Sequence, residues 1–333
     1  MNASRVAYID VARGILMLLV ILGHMGIWGT KYIFWFHMPA FFMISGSVVS
    51  DKEWINKLTW QSVKKKSMRY FIPYVSYFFL LSIFSCFLTG KIDVVHLFLR
   101  FIYGGRLLVD IYSIFWFITC LFICYYLFIL LISLKLSIYF QLVILIASYF
   151  FGIHIKELFP KHYTPWNFDV AFVAVIYFYI GYHFRRFAEI SRIKYLFLIF
   201  ITLLLASTAL IYLDLFIFPD FYRLNMKNDE FNNILLDVLI PFIFYLTILI
   251  FSYYLSLSKY LSKALMIIGN NTLHIMYLHF LIIVALRQYG IDNIALIFFM
   301  ACIVPVIFAF IIKRYRITDF LFNGKISVSH TSN

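Results

Sequence analysis

Long apolar runs separated by short charged connections dominate the chain. A bilayer core of about 30 Å needs roughly 20 apolar residues per helix. Ten segments fit that pattern: 14–30, 33–49, 70–89, 111–133, 136–153, 167–184, 195–218, 233–257, 272–289 and 292–312. The pattern therefore predicts an all-α polytopic integral membrane protein of about ten transmembrane helices. The first two segments are short and meet around Gly29-Thr30-Lys31, which predicts a hairpin. Asp10 and Arg13 precede the first run and no small-residue cleavage site follows it, so it does not read as a removable signal. Residues 94–101 alternate in a way that suits the membrane interface. No soluble domain, linker or repeat is visible, so residues 1–333 are expected to form one membrane-embedded domain.

Composition agrees. Apolar residues make up 64% and charged residues 13% of the chain, where soluble proteins carry roughly 25% charge. Too little charge remains to cover a soluble globule, which excludes a soluble enzyme, a secreted domain and a disordered chain. The net charge of +13 does not point to nucleic acid, because the basic residues sit in connections between spans. With ten spans, alternate connections hold 19 Lys and Arg on the side of the termini and 9 on the other. Both termini are then expected in the cytoplasm. The partner implied at this level is the lipid bilayer. Cys120 and Cys124 share a helix face but no further ligand clusters near them, so no metal is expected.

Titratable groups at membrane depth are costly, and each is a functional candidate. Arg13 and His24 are eleven positions apart, three helical turns plus 20°, and Asp10 lies on a neighbouring azimuth. All three are predicted on one helix face, with His24 about 16 Å deeper than Arg13. Asp10 can pair with Arg13, while about 21 Å separates it from His24. His24 either hydrogen-bonds a neighbouring helix or works in a reaction. His37 precedes Pro39, which removes a backbone donor and disturbs the helix one turn earlier. His37 either satisfies that irregular backbone or approaches His24 across the hairpin. Asp214 and Asp237, near span ends, are expected to reach the interface.

Several of these residues fall in ordered motifs. Asp10-x-x-Arg13-Gly14, with ten residues between Arg13 and His24, resembles the signature of the membrane-bound acyltransferase family 3. Phe36-His37-Met38-Pro39-x-Phe41-Phe42-x-x-Ser45-Gly46 is similar to its fucose 4-O-acetylase-like branch, which includes bacterial polysaccharide O-acetyltransferases. Lys66-Ser-Met-Arg69 resembles the family's basic-x-x-basic motif, with Lys where Arg is usual first. Ile114-Phe115-Trp116-Phe117-Ile118 resembles its Trp-Phe-Leu segment, with Ile118 as the departure. Asn271 to His279 resembles its late Tyr-Leu-x-His helix. The likeness runs from about residue 4 to about residue 312.

The resemblance implies an acetyl-CoA-dependent O-acetyltransferase of the bacterial cell membrane. Acetyl-CoA would be the acyl donor, and a glycan or lipid-linked sugar hydroxyl outside the cytoplasm the acceptor. Under it, His24 is the general base or carries the acyl group, Arg13 orients the donor either by contacting phosphate or by pairing with Asp10, and His37 binds the sugar or assists the proton transfer. Lys65, Lys66 and Arg69 would hold the donor's phosphates, although the cluster with Lys57 and Lys64 also reads as an anchor on anionic lipid. Trp116 and His279 are candidate substrate contacts, and His274, 140° around the same helix, faces elsewhere. The rival reading is a transporter or flippase for a lipid-linked sugar, against which the polar residues crowd into the first two spans without a matching second half.

Overall fold

The computed structural model describes residues 7–50, 60–90, 93–159, 161, 163–184 and 194–324. Lys57 lies outside the described residues. The described residues are predominantly helical: α1 (Ala7–Gly23), α2 (Thr30–Phe34), α3 (His37–Ser47), α4 (Trp60–Thr89), α5 (Val94–Tyr103), α6 (Trp116–Ser133) and α7 (Ile138–Ile155). It continues through α8 (Phe168–Phe184), α9 (Leu196–Tyr212), α10 (Ile234–Ser256), α11 (Lys259–Asn270), α12 (Thr272–Gln288), α13 (Ile294–Ile312) and α14 (Arg316–Asn323).

Among the described residues, seven helical stretches are long and apolar enough to cross a membrane, or eight if the bent pair α11–α12 makes one span. The molecule is a multi-pass membrane protein, but that count falls short of the ten segments expected. The difference lies in the first two segments. At 17 residues α1 reaches about 26 Å, and at 11 residues α3 reaches about 16 Å, half the bilayer core. Both are buried by protein: Val11, Ala12, Leu16, Ile21, Ala40, Phe42 and Met43 are fully enclosed. Apolarity alone does not distinguish a helix facing protein from one facing lipid. Pro39 acts as its missing donor predicts. The second segment breaks into α2 and α3 around Trp35 and Phe36, one turn before the proline.

Two helix crossings are close enough to require glycine. A Cβ at Gly46 would meet the Phe178 carbonyl, and one at Gly181 the Met43 carbonyl, so α3 and α8 touch backbone to backbone. Gly14 against Leu265 and Gly269 against Asp10 do the same for α1 and α11. Small residues at crossings are how helices in lipid gain van der Waals contact without a hydrophobic driving force. Helices α1 and α3 also pack on each other. Helices α11 and α12 meet at a 78° bend. Lys313 Nζ donates to Asn271 Oδ1 at 2.6 Å there. Helix α5 buries no residue, and Val94, Phe98, Leu99 and Ile102 are exposed, which suits the interface expected for 94–101.

Asp214 and Asp237 do not reach the interface as expected; both are buried. Asp214 accepts from Lys31 Nζ at 2.5 Å and Tyr32 OH at 3.0 Å. Asp237 accepts from Tyr149 OH at 2.6 Å and Asn232 N–H at 2.9 Å. Each is held by a distant loop or helix that supplies the donors a buried carboxylate needs.

The connections 104–115, 156–167 and 219–233 gather at the His24 end of the bundle around a buried polar network. Arg106 donates to Asp169 at 2.8 Å and faces Asp229 at 3.4 Å, while Thr164 OH donates to Asp169 at 2.5 Å. Lys156 also pairs with Asp229. Lys227 donates to the Leu108 carbonyl at 3.1 Å, and burial, opposed by Asp110, depresses its ammonium to about 8 from 10.5. A depressed folded-state value means stability present above the unfolded value and lost as pH falls through the folded one. Thermal stability is therefore expected to fall as pH drops from about 10.5 to about 8. Lys227→Met should flatten that limb of a melting-temperature profile, and an unchanged slope would mean that the limb belongs to other groups.

Candidate active site

The polar stripe of α1 opens onto a cavity of about 430 Å³ enclosed by α1, α3, α4, α6, α12 and α14. Arg13 and His24 both line it, as the eleven-residue spacing requires. His24 stands just past the last residue of α1, yet its N–H still bonds the Val20 and Ile21 carbonyls, so the ring keeps the helical azimuth. The ring lies among apolar neighbours, 5.1 Å from Phe280 and 6.5 Å from Phe34 by ring centroids. The His279 ring stands at 5.2 Å, and His37 and Lys227 also lie near enough to interact with His24 electrostatically.

At the Arg13 end stand Arg69 from α4, Thr272 from the start of α12 and Asn323 from α14. Helix α14 packs on α4, and Gly324 is pressed against the Arg69 backbone. Asp10 is buried beside this end and meets Arg13 at 3.4 Å, a long ion pair, without itself lining the cavity. Lys66 lies 4.6 Å over the Tyr125 ring and Lys65 is exposed; neither lines the cavity. Of the four basic candidates, the fold thus brings together Arg13 and Arg69.

His279, fully buried, lines the cavity with Thr272 and Met276 on one face of α12. Its Nδ1 is 2.8 Å from the Ile275 carbonyl, so that nitrogen carries the proton. Its Nε2 and the Tyr277 hydroxyl are buried without a hydrogen-bond partner among the described residues. His274 points away and bonds Tyr77 OH. His37 is buried next to Phe34, with Nδ1 2.7 Å from the Ile33 carbonyl, which also accepts from the Phe36 N–H at 3.3 Å. It does not line the cavity; Met38, one position on, does. Trp116 begins α6 and does line it.

Ser45, Thr272 and Tyr277 fall within the sequence motifs but were given no role, and Asn323 was not singled out; all four also line the cavity. Ser45 follows Met38 and Phe41 at spacings of three and four, the signal by which a single face of α3 is recognisable. Asn323 carried no such signal, because the fold of the chain end decides where it sits.

The helices thus line one cavity that has Arg13 and Arg69 at one end and His24 and His279 at the other. The chain belongs to acyltransferase family 3: the family model described as "Acyltransferase domain" matches residues 6–314. The protein is therefore a membrane acyltransferase. Comparison with curated proteins and with solved structures gives no match.

Proposed function

We propose that the protein moves an acetyl group from acetyl-CoA to a sugar hydroxyl of a cell-surface glycan or its lipid-linked precursor. The observation that carries this reading is one continuous cavity bordered by Arg13 and Arg69 at one end and by His24 and His279 at the other. The cationic end suits the anionic nucleotide part of the donor, and charge-assisted pairs to phosphate are the strong kind. The roughly 16 Å between Arg13 and His24 is of the order of a pantetheine arm. That end would face the cytoplasm, where acetyl-CoA is made.

With the thioester beside His24, the acceptor hydroxyl attacks the carbonyl carbon as the His24 ring takes its proton. The carbon–sulfur bond then breaks, and the proton passes to the departing thiolate. The apolar walls around His24 favour the neutral imidazole a base requires. Trp116 and Tyr277 are candidates to donate to the developing oxyanion, since both line the cavity and the Tyr277 hydroxyl is unpartnered among the described residues. Thioester-to-ester transfer is downhill, so the residues present suffice.

Titration calorimetry with acetyl-CoA tests the donor end. Arg69→Ala is expected to weaken binding by about 10-fold or more, the loss of a charge-assisted hydrogen bond. Lys65→Ala, at an exposed position outside the cavity, should change it less than about twofold. Equal losses in both variants would point to a diffuse surface effect instead of a phosphate site.

A further inference from the structure

Resting on that reading, we infer that His279 is the positioning residue of the His24 base. Its Nε2 accepts a hydrogen bond from one ring N–H of His24. That bond selects the His24 tautomer whose other nitrogen is free to take the acceptor's proton, and it then holds the imidazolium that forms.

Four observations lead there. A carbonyl can only accept, so the 2.8 Å contact from Nδ1 to Ile275 leaves the lone pair of neutral His279 on Nε2. That Nε2 is buried and has no hydrogen-bond partner among the described residues, an expensive state for an acceptor unless something donates to it. The two ring centroids are 5.2 Å apart. Imidazoles joined by an N–H···N hydrogen bond of about 2.9 Å have centroids about 5 Å apart, so the separation of these rings, tilted 47° to each other, fits such a bond. Finally, the cavity lining contains no carboxylate. Asp10, the acidic residue nearest in sequence to His24, is about 21 Å away along α1. Among the described residues lining the cavity there is thus no carboxylate to orient the histidine, and His279 presents an acceptor at the right separation.

His37 makes the contrast. Its Nδ1 is tied to a carbonyl in the same way, but its ring stays outside the cavity lining. Both imidazoles lie near enough to His24 to interact with it electrostatically, and it is His279 that shares a ring contact and the cavity lining with it.

In the step itself, the acceptor oxygen bonds to the thioester carbon and its proton moves to the free nitrogen of His24. The opposite N–H of the resulting imidazolium strengthens its bond to His279 Nε2. On collapse the carbon–sulfur bond breaks, and His24 returns the proton to the thiolate. His279 neither gains nor loses a proton.

The test uses the full chain in liposomes, radiolabelled acetyl-CoA and a mixed bacterial surface-glycan extract. His279→Leu is expected to lower kcat about 10- to 100-fold, the scale seen when a functional histidine loses its orienting partner. Acetyl-CoA affinity should be unchanged within about twofold, since the donor's phosphates lie at the Arg13 end. His279→Gln, whose amide oxygen offers an acceptor near the position of Nε2, should recover most of the rate. The double variant His24→Ala/His279→Leu should be no slower than His24→Ala, because His279 acts through His24. Equal defects in the Leu and Gln variants, or additive losses in the double variant, would overturn the assignment and leave only packing. Ring-nitrogen NMR of histidine-labelled protein gives a readout independent of turnover. It should show a single His24 tautomer that is lost in His279→Leu, and a tautomer mixture already present in wild type would overturn the pairing. Wild-type protein that binds no acetyl-CoA would overturn the donor reading, whatever the tautomer spectrum shows.

Discussion

His24→Ala is expected to lower acetyl transfer by about 10²- to 10⁴-fold, the usual contribution of a positioned acid–base group. Acetyl-CoA affinity should stay near that of wild type. The two halves of this expectation come from the same geometry. His24 and Arg13 line one cavity, but the eleven-residue rise keeps them about 16 Å apart. Removing the imidazole therefore deletes the proton acceptor without touching the groups expected to hold the donor's phosphates. The ring is packed by Phe34, Phe280 and His279, so a size-matched His24→Gln separates lost chemistry from lost packing. Both variants should be inactive. An active Gln variant would assign His24 a hydrogen-bonding role in place of a base. Rates are to be compared at saturating donor, with affinity measured separately by calorimetry.

The second large effect is structural. Gly181→Val is expected to destabilise the fold by about 3 kcal/mol or more, the upper end for overpacking. A Cβ at Gly181 would overlap the Met43 backbone, and Gly46 stands against Phe178 in the same crossing. Neither partner atom belongs to a flexible side chain, so the collision is relieved only by pushing α3 off α8. The opposite face of α3 carries Met38, Phe41, Ile44 and Ser45 into the cavity, so displacement of the helix deforms the reaction chamber as well. Gly181→Ala should show a smaller loss of the same kind. Thermal unfolding in detergent, read beside transfer activity, checks both. A wild-type melting temperature for Gly181→Val would mean that α3 and α8 do not cross in contact.

Much of this arrangement was readable before the fold. Helical periodicity alone aligns Arg13 with His24, and both line the cavity. The missing N–H of Pro39 marks the break between α2 and α3. Azimuth separates His279, in the cavity, from His274, which bonds Tyr77. Other features were not readable, for identifiable reasons. The segment 259–270 carries Lys259 and Lys263 and reads as a charged connection, yet it is a helix, α11, because its apolar face and Gly269 pack on α1. Helices α1 and α3 read as spans because apolarity is blind to what surrounds it. Asp214 is held by Lys31 and Tyr32, the latter 182 residues away, and Asp237 by Tyr149, 88 residues away, beyond any local pattern. The basic motif Lys66-x-x-Arg69 gives both cations equal standing, and only the fold of α4 turns Arg69 to the cavity and Lys66 over Tyr125.

The most direct single measurement is transfer of label from radiolabelled acetyl-CoA by the purified wild-type chain in liposomes, with bacterial surface glycans as acceptor. Wild type should move label to the glycan, and to water more slowly, while Arg13→Ala requires more donor and His24→Ala leaves the label on coenzyme A. Folded wild-type protein that neither binds acetyl-CoA nor releases its acetyl group, but carries a lipid-linked sugar across the bilayer, would contradict the acetyl-transfer reading.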